Sequence, residues 1–188
     1  AFLFFVSVLA HELAHSLVAL ARGVPVANIT LFMFGGVSNM QREPSSPAEE
    51  MVITIAGPLM SLFLGAVCLM VGTGGMVVDA SSLTAPAILA QLQPVNTALA
   101  WLGSVNILIG FFNLIPAFPL DGGRIVRSLI WAILNDIHRS TRWATWLGQG
   151  IAWMMIVSGV SMAFGLKLPF IGGDIFNGVW LICIGIFL

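Results

Sequence analysis

Charge is what this chain has least of. Only 8% of its 188 residues are Asp, Glu, Lys or Arg, against about a quarter in an ordinary soluble domain. Seven basic and eight acidic residues give a formal net charge of −1, so there is no basic surface to attract a phosphate backbone, and nucleic-acid binding is excluded as a main function. Its two cysteines, Cys68 and Cys183, lie far apart in apolar runs. They exclude a disulfide scaffold and read as small buried hydrophobes. Internal repeats and low-complexity tracts are missing too. What fills the chain instead is apolar: 59% of residues are hydrophobic, a composition that excludes a disordered linker or a water-soluble enzyme and places the chain in a lipid bilayer.

A bilayer core of about 30 Å asks for runs of about 17–25 apolar residues. Such runs predict membrane spans over 1–21, 51–72, 95–115 and 143–165, while 175–188 is an apolar fragment too short to cross. The chain starts at Ala1 and stops inside that fragment, and so reads as a piece of a longer protein. Residues 1–21 are not a secretory signal, because a basic n-region is missing and His11, Glu12 and His15 interrupt the apolar stretch. Arg22 and Arg42 follow the first span, Arg124, Arg127, Arg139 and Arg142 follow the third, and 73–94 holds no Lys or Arg. The positive-inside rule therefore puts 22–50 and 116–142 in the cytoplasm and 73–94 outside, with Lys167 the one residue against it. Ala1 then lies outside, so a natural N-terminus in the cytoplasm would require one further span ahead of it.

The expected fold is an all-α polytopic membrane helix bundle with a short membrane-associated β element. That element is a strand over 26–34, rich in β-branched and aromatic residues, with a turn at Gly35-Gly36. Ser46-Pro47-Ala48-Glu49 reads as a capping box that opens the second span, with Pro at the first helical position.

The chemistry is carried by His11-Glu12-Leu13-Ala14-His15 in the middle of the first span. On a helix His11 and His15 stand one turn apart on one face, so two imidazole nitrogens converge on one metal ion. Glu12 lies about 100° further round and suits a general base for the attacking water rather than a ligand. Each ionisable group half-way along a span costs at least ~2.5–3.5 kcal/mol unless paired or hydrated. Three of them together call for a function.

Catalytic zinc takes three protein ligands, and the candidates for the third are Glu49, Glu50, Asp79, Asp121, Asp136, His138 and Asp174. Glu49 belongs to the capping box, Asp79 and Asp174 lie outside, and Asp136 and His138 fit a solvated turn with Arg139. Asp121 follows Pro116 and Pro119, which break the third span into an extended loop. Unwound backbone at that depth is tolerated only where it lines a cavity or is buried in protein. Two alternatives stay open at this point. Asp121-Gly122 can instead be a turn capping a helix over 122–135, and Glu50 can be the third ligand.

At these residues the chain resembles the site-2 protease family of intramembrane zinc metalloproteases. The likeness joins His11-Glu12-Leu13-Ala14-His15 to the stretch from Asn113 through Asp121-Gly122-Gly123-Arg124, with lesser support from Gly35-Gly36 and Ala56-Gly57-Pro58-Leu59. It implies His11, His15 and Asp121 as ligands of one Zn2+ per chain, Glu12 as general base, and Asn113 as a residue steadying substrate or oxyanion. It further implies that 26–34 is a sheet against which substrate lies. The family's membrane helix ahead of the zinc motif is not seen here. Stretch 73–94 is too short for an inserted PDZ domain, since a domain needs at least ~50 residues, and no CBS pair follows the last span.

Residues 1–188 thus read as a single transmembrane protease core without regulatory domains. The expected activity is hydrolysis of a peptide bond in or near a transmembrane helix, with a transmembrane protein as substrate, the lipid bilayer as partner and the active site toward the cytoplasm. The alternative is a membrane metal or ion transporter, or a non-catalytic zinc-binding sensor, since intramembrane His and Asp also mark transport paths.

Overall fold

The computed structural model describes residues 2–32, 35–40, 42–74, 94–164 and 175–188. Asp79, Lys167, Asp174 and the proposed outer stretch over 75–93 lie outside the described residues. Six helices appear among those that are described: α1 (Phe2–Ala21), α2 (Pro47–Gly74), α3 (Pro94–Asn113), α4 (Asp121–Leu134), α5 (Ile137–Ala163) and α6 (Ile175–Phe187). Of these α1, α2, α3 and α5 are long and apolar enough to cross a membrane. They match the four predicted spans, but α2 and α5 start ahead of the apolar runs because their caps lie outside them. Ser46 Oγ accepts from the Glu49 N–H at 3.2 Å, as the capping box requires. Asp136 accepts from the Arg139 N–H at 3.0 Å, and this bond is the main reason its carboxyl titrates below the usual carboxylate range.

Strands β1 (Val26–Phe32) and β2 (Gly35–Met40) pair antiparallel, Phe32 opposite Gly35 and Val26 opposite Met40. The turn predicted at Gly35-Gly36 is therefore misplaced, because both glycines stand in the ladder facing Phe32 and Leu31. Gly-Gly composition signals a turn, but a glycine N–H and C=O pair across strands like any other.

The chain divides into two compact units, residues 1–45 with 52–113, and residues 46–51 with 114–188. In the first, α1 ends in a left-handed Gly23 at φ 73°. The Val24 N–H reaches back to the Ala19 carbonyl at 2.9 Å and the Gly23 N–H to the Leu20 carbonyl at 2.9 Å, the two bonds of a Schellman stop. Val24 then packs with Ala19 and Ile53 in a fully buried cluster. Helices α2 and α3 meet backbone to backbone. A Cβ on Gly103 would sit 2.8 Å from the Leu69 nitrogen and 2.9 Å from the Gly65 carbonyl oxygen. Small residues of this kind let membrane helices approach where apolar attraction between them is weak.

The second unit repeats the device between α5 and α6, where a Cβ on Gly178 would lie 2.7 Å from the Gly159 carbonyl oxygen. Large apolar side chains such as Met70, Leu108, Phe111, Trp153 and Phe164 stay exposed, as a lipid-facing surface requires.

Gly103→Ala is expected to destabilise the chain by about 1–3 kcal/mol through overpacking. Gly150→Ala, at a helical position where a Cβ meets nothing within 4 Å, should be neutral or slightly stabilising. Thermal unfolding of both variants in detergent checks the pair.

Candidate metal centre

The paired histidines of α1 are held by α2. His15 Nδ1 lies 2.8 Å from the Ile53 carbonyl oxygen. A carbonyl only accepts, so Nδ1 carries the proton and the lone pair resides on Nε2. His11 Nδ1 lies 2.8 Å from Ser61 Oγ, an arrangement that turns its Nε2 toward that of His15, 3.2 Å away. Two nitrogens each about 2.0–2.1 Å from a tetrahedral zinc lie about 3.3–3.4 Å apart, so the pair fits such an ion. Both rings are 5% exposed and Glu12 beside them is 9% exposed.

Gly57 makes the space. A Cβ there would stand 2.6 Å from His11 Nε2 and nearer still to His15 Nε2. Any side chain on this turn of α2 would thus occupy the place where the two lone pairs converge.

Asn113 is the last residue of α3 and is half-buried. Asp121 belongs to the second unit, where it is the first residue of α4 and half-buried. It is not the N-cap of that helix, a position that Leu120 takes. Nor is the preceding segment extended. The Ala117 N–H bonds the Ile115 carbonyl at 2.7 Å and the Leu120 N–H bonds the Ala117 carbonyl at 3.0 Å, because local turns satisfy the backbone groups that the prolines release. Gly122 packs against the Ile115 and Leu114 carbonyls, and a Cβ on Gly123 would lie 2.8 Å from the Ala117 carbonyl carbon. The turn before Asp121 and the first turn of α4 are therefore one tightly packed piece.

Glu50, the alternative ligand, is fully buried. Its Oε1 accepts from Arg127 Nε at 2.9 Å and also pairs with Arg127 Nη2, with Arg124 Nε 3.8 Å away. That commits Oε1 of the carboxylate to a guanidinium. His138 is exposed in the first turn of α5, next to the capping Asp136.

Comparison with known proteins decides the family. Residues 1–157 match the sequence profile of peptidase family M50. The chain belongs to that family. It is 38% identical over 188 residues, all of this chain, to a putative zinc metalloprotease of Synechocystis, and covers 44% of that relative. To the putative zinc metalloprotease Rip3 of Mycobacterium tuberculosis it is 37% identical over 182 residues, 97% of this chain and 42% of the relative. The chain thus spans less than half the length of these curated relatives. The solved structure of a site-2 protease from Methanocaldococcus jannaschii superposes with a TM-score of 0.67 at 33% identity, covering 99% of this chain and 72% of that one. With four helices of spanning length, this M50 chain is an integral membrane protein.

Sequence reasoning singled out the pairing of His11 with His15 but not what orients the two rings. Ser61 and the Ile53 carbonyl were missed. The available signal was Ser61 one helical turn beyond Gly57 in the Gly57-Pro58 segment, which puts both on one face of α2.

Ser61→Ala should weaken metal affinity by about 10–100-fold, the usual cost of losing an outer hydrogen bond to a ligating histidine. Gly57→Leu should abolish metal binding while α-helix content is retained. Titration with zinc(II) or cobalt(II) against a competing chelator, alongside circular dichroism, measures both.

Proposed function

We propose that this chain is the membrane core of a zinc metalloprotease that cleaves a peptide bond in or beside a transmembrane helix of a substrate protein. The observation that carries the reading is the buried histidine pair, its Nδ1 atoms bonded to Ser61 and Ile53 and its Nε2 atoms 3.2 Å apart. Asp121 supplies the third ligand. Support comes from its place at the first position of α4 and from its carboxylate chemistry, which suits zinc. A bound zinc would polarise the scissile carbonyl and lower the pKa of water toward ~7.

Glu12, adjacent to His11 and buried with it, takes the proton of the attacking water and hands it to the leaving nitrogen. Asn113 donates a hydrogen bond to the negative charge that develops on the carbonyl oxygen. A helical substrate hides its carbonyls in i to i−4 bonds, so the segment to be cut must first unwind. Once extended, it adds to the β1 edge at the membrane face. The arginine distribution supports a cytoplasmic side for this reaction.

Incubation of purified protein with a tagged single-span substrate tests the reading. Glu12→Gln should lose cleavage by at least about 100-fold, the lower range of general-base contributions, with its zinc retained. Equal cleavage by parent and variant would overturn the role of Glu12, and zinc-dependent transport unaffected by the change would point to the transporter alternative.

Ile29→Pro removes a ladder N–H from β1. Cleavage should fall while zinc content stays the same, and unchanged cleavage would remove the strand from the substrate path.

A further inference from the structure

The mechanism leaves one buried ion pair without a role. Glu50, in the first turn of α2, is fully buried with Oε2 lacking a hydrogen-bond partner among the described residues, while Oε1 accepts from Nε and Nη2 of Arg127. A pair optimised for stability would satisfy both oxygens, and burying charge costs desolvation that such a one-sided contact does not repay well. What the pair does supply is position. The Arg127 guanidinium also lies over the Phe118 ring, 6.0 Å from its centroid, so one side chain joins the start of α2, the turn before Asp121 and the body of α4. Gly122 and Gly123 press that turn against the same helix, and Asp121 opens the helix that Arg127 anchors.

We infer that Arg127, held by Glu50, is a positioning residue that fixes the direction in which α4 presents the Asp121 carboxylate. The inference rests on the reading of Asp121 as a zinc ligand. Without the guanidinium, the buried Glu50 charge keeps only the more distant Arg124 Nε at 3.8 Å, and α4 loses its tie to the start of α2 and to Phe118. Asp121 then samples directions in which its oxygen no longer meets the metal.

The test is a double-mutant cycle on zinc affinity, measured by chelator competition on the full chain in detergent. Asp121→Asn should weaken binding. Arg127→Gln should weaken it by about 10–100-fold, as loss of outer-contact residues does. The double variant should be no weaker than Asp121→Asn alone, because Arg127 acts only through that carboxylate. Cobalt(II) absorption gives a second readout: the Arg127→Gln spectrum should shift to that of Asp121→Asn, which a loss of general stability would not produce. If Arg127→Gln does not fold, Glu50→Gln, which keeps the shape of the carboxylate, carries the same cycle.

Unchanged zinc affinity in folded Arg127→Gln, or losses that multiply in the double variant, overturns the positioning role and leaves the ligand assignment standing. Unchanged affinity in Asp121→Asn overturns both.

Discussion

The first unit depends on two hydrogen bonds from α1 to α2, His11 to Ser61 and His15 to the Ile53 carbonyl. An imidazole in a membrane helix is costly unless its polar atoms are satisfied, and these bonds satisfy one nitrogen of each ring. They also orient the ring planes, and the carbonyl fixes the tautomer of His15, so the Nε2 atoms of the two rings are directed at one point. The constraint is mutual. α2 must come close enough for a backbone carbonyl and a short serine to reach the rings, and it does so by carrying glycine at position 57, where a Cβ would collide with both. Helix proximity, histidine orientation and room for an ion are one condition.

The same close approach recurs wherever these helices touch. Gly65 against Ile107, Gly103 against Leu69 and Gly178 against Gly159 bring backbones together, so helix pairs are fixed by surfaces that cannot slide without collision. In lipid this rigidity must come from shape, because apolar side chains gain little by leaving lipid tails for one another. Many of the large aliphatic and aromatic residues accordingly remain on the outside.

The second unit solves a different problem, that of offering a carboxylate from the end of a helix. Asp121 stands where acidic residues suit the helix dipole, but Leu120 takes the cap position. The two glycines after it pack the helix start onto the turn at 114–120, and Arg127 ties the helix both to Glu50 and to the Phe118 ring of that turn. A rigid seat of this kind serves precise geometry better than a free loop does.

The membrane class, the spans, the cap at Ser46 and the pairing of His11 with His15 were legible in the amino-acid sequence, because apolar length and helical period are local properties that any fold must respect. Asp121 and Asn113 were proposed by motif rather than by physics, and their directions were not readable. The strand reading failed locally at Gly35-Gly36, where ladder pairing outweighed turn composition, and the predicted loop after Pro116 became a chain of tight turns. Only the tertiary structure decided which ring nitrogen carries the proton, that Gly57 faces the histidines and that Glu50 is spent on Arg127. Each of these depends on groups tens of residues apart meeting within a hydrogen bond's length, a condition that no local pattern encodes.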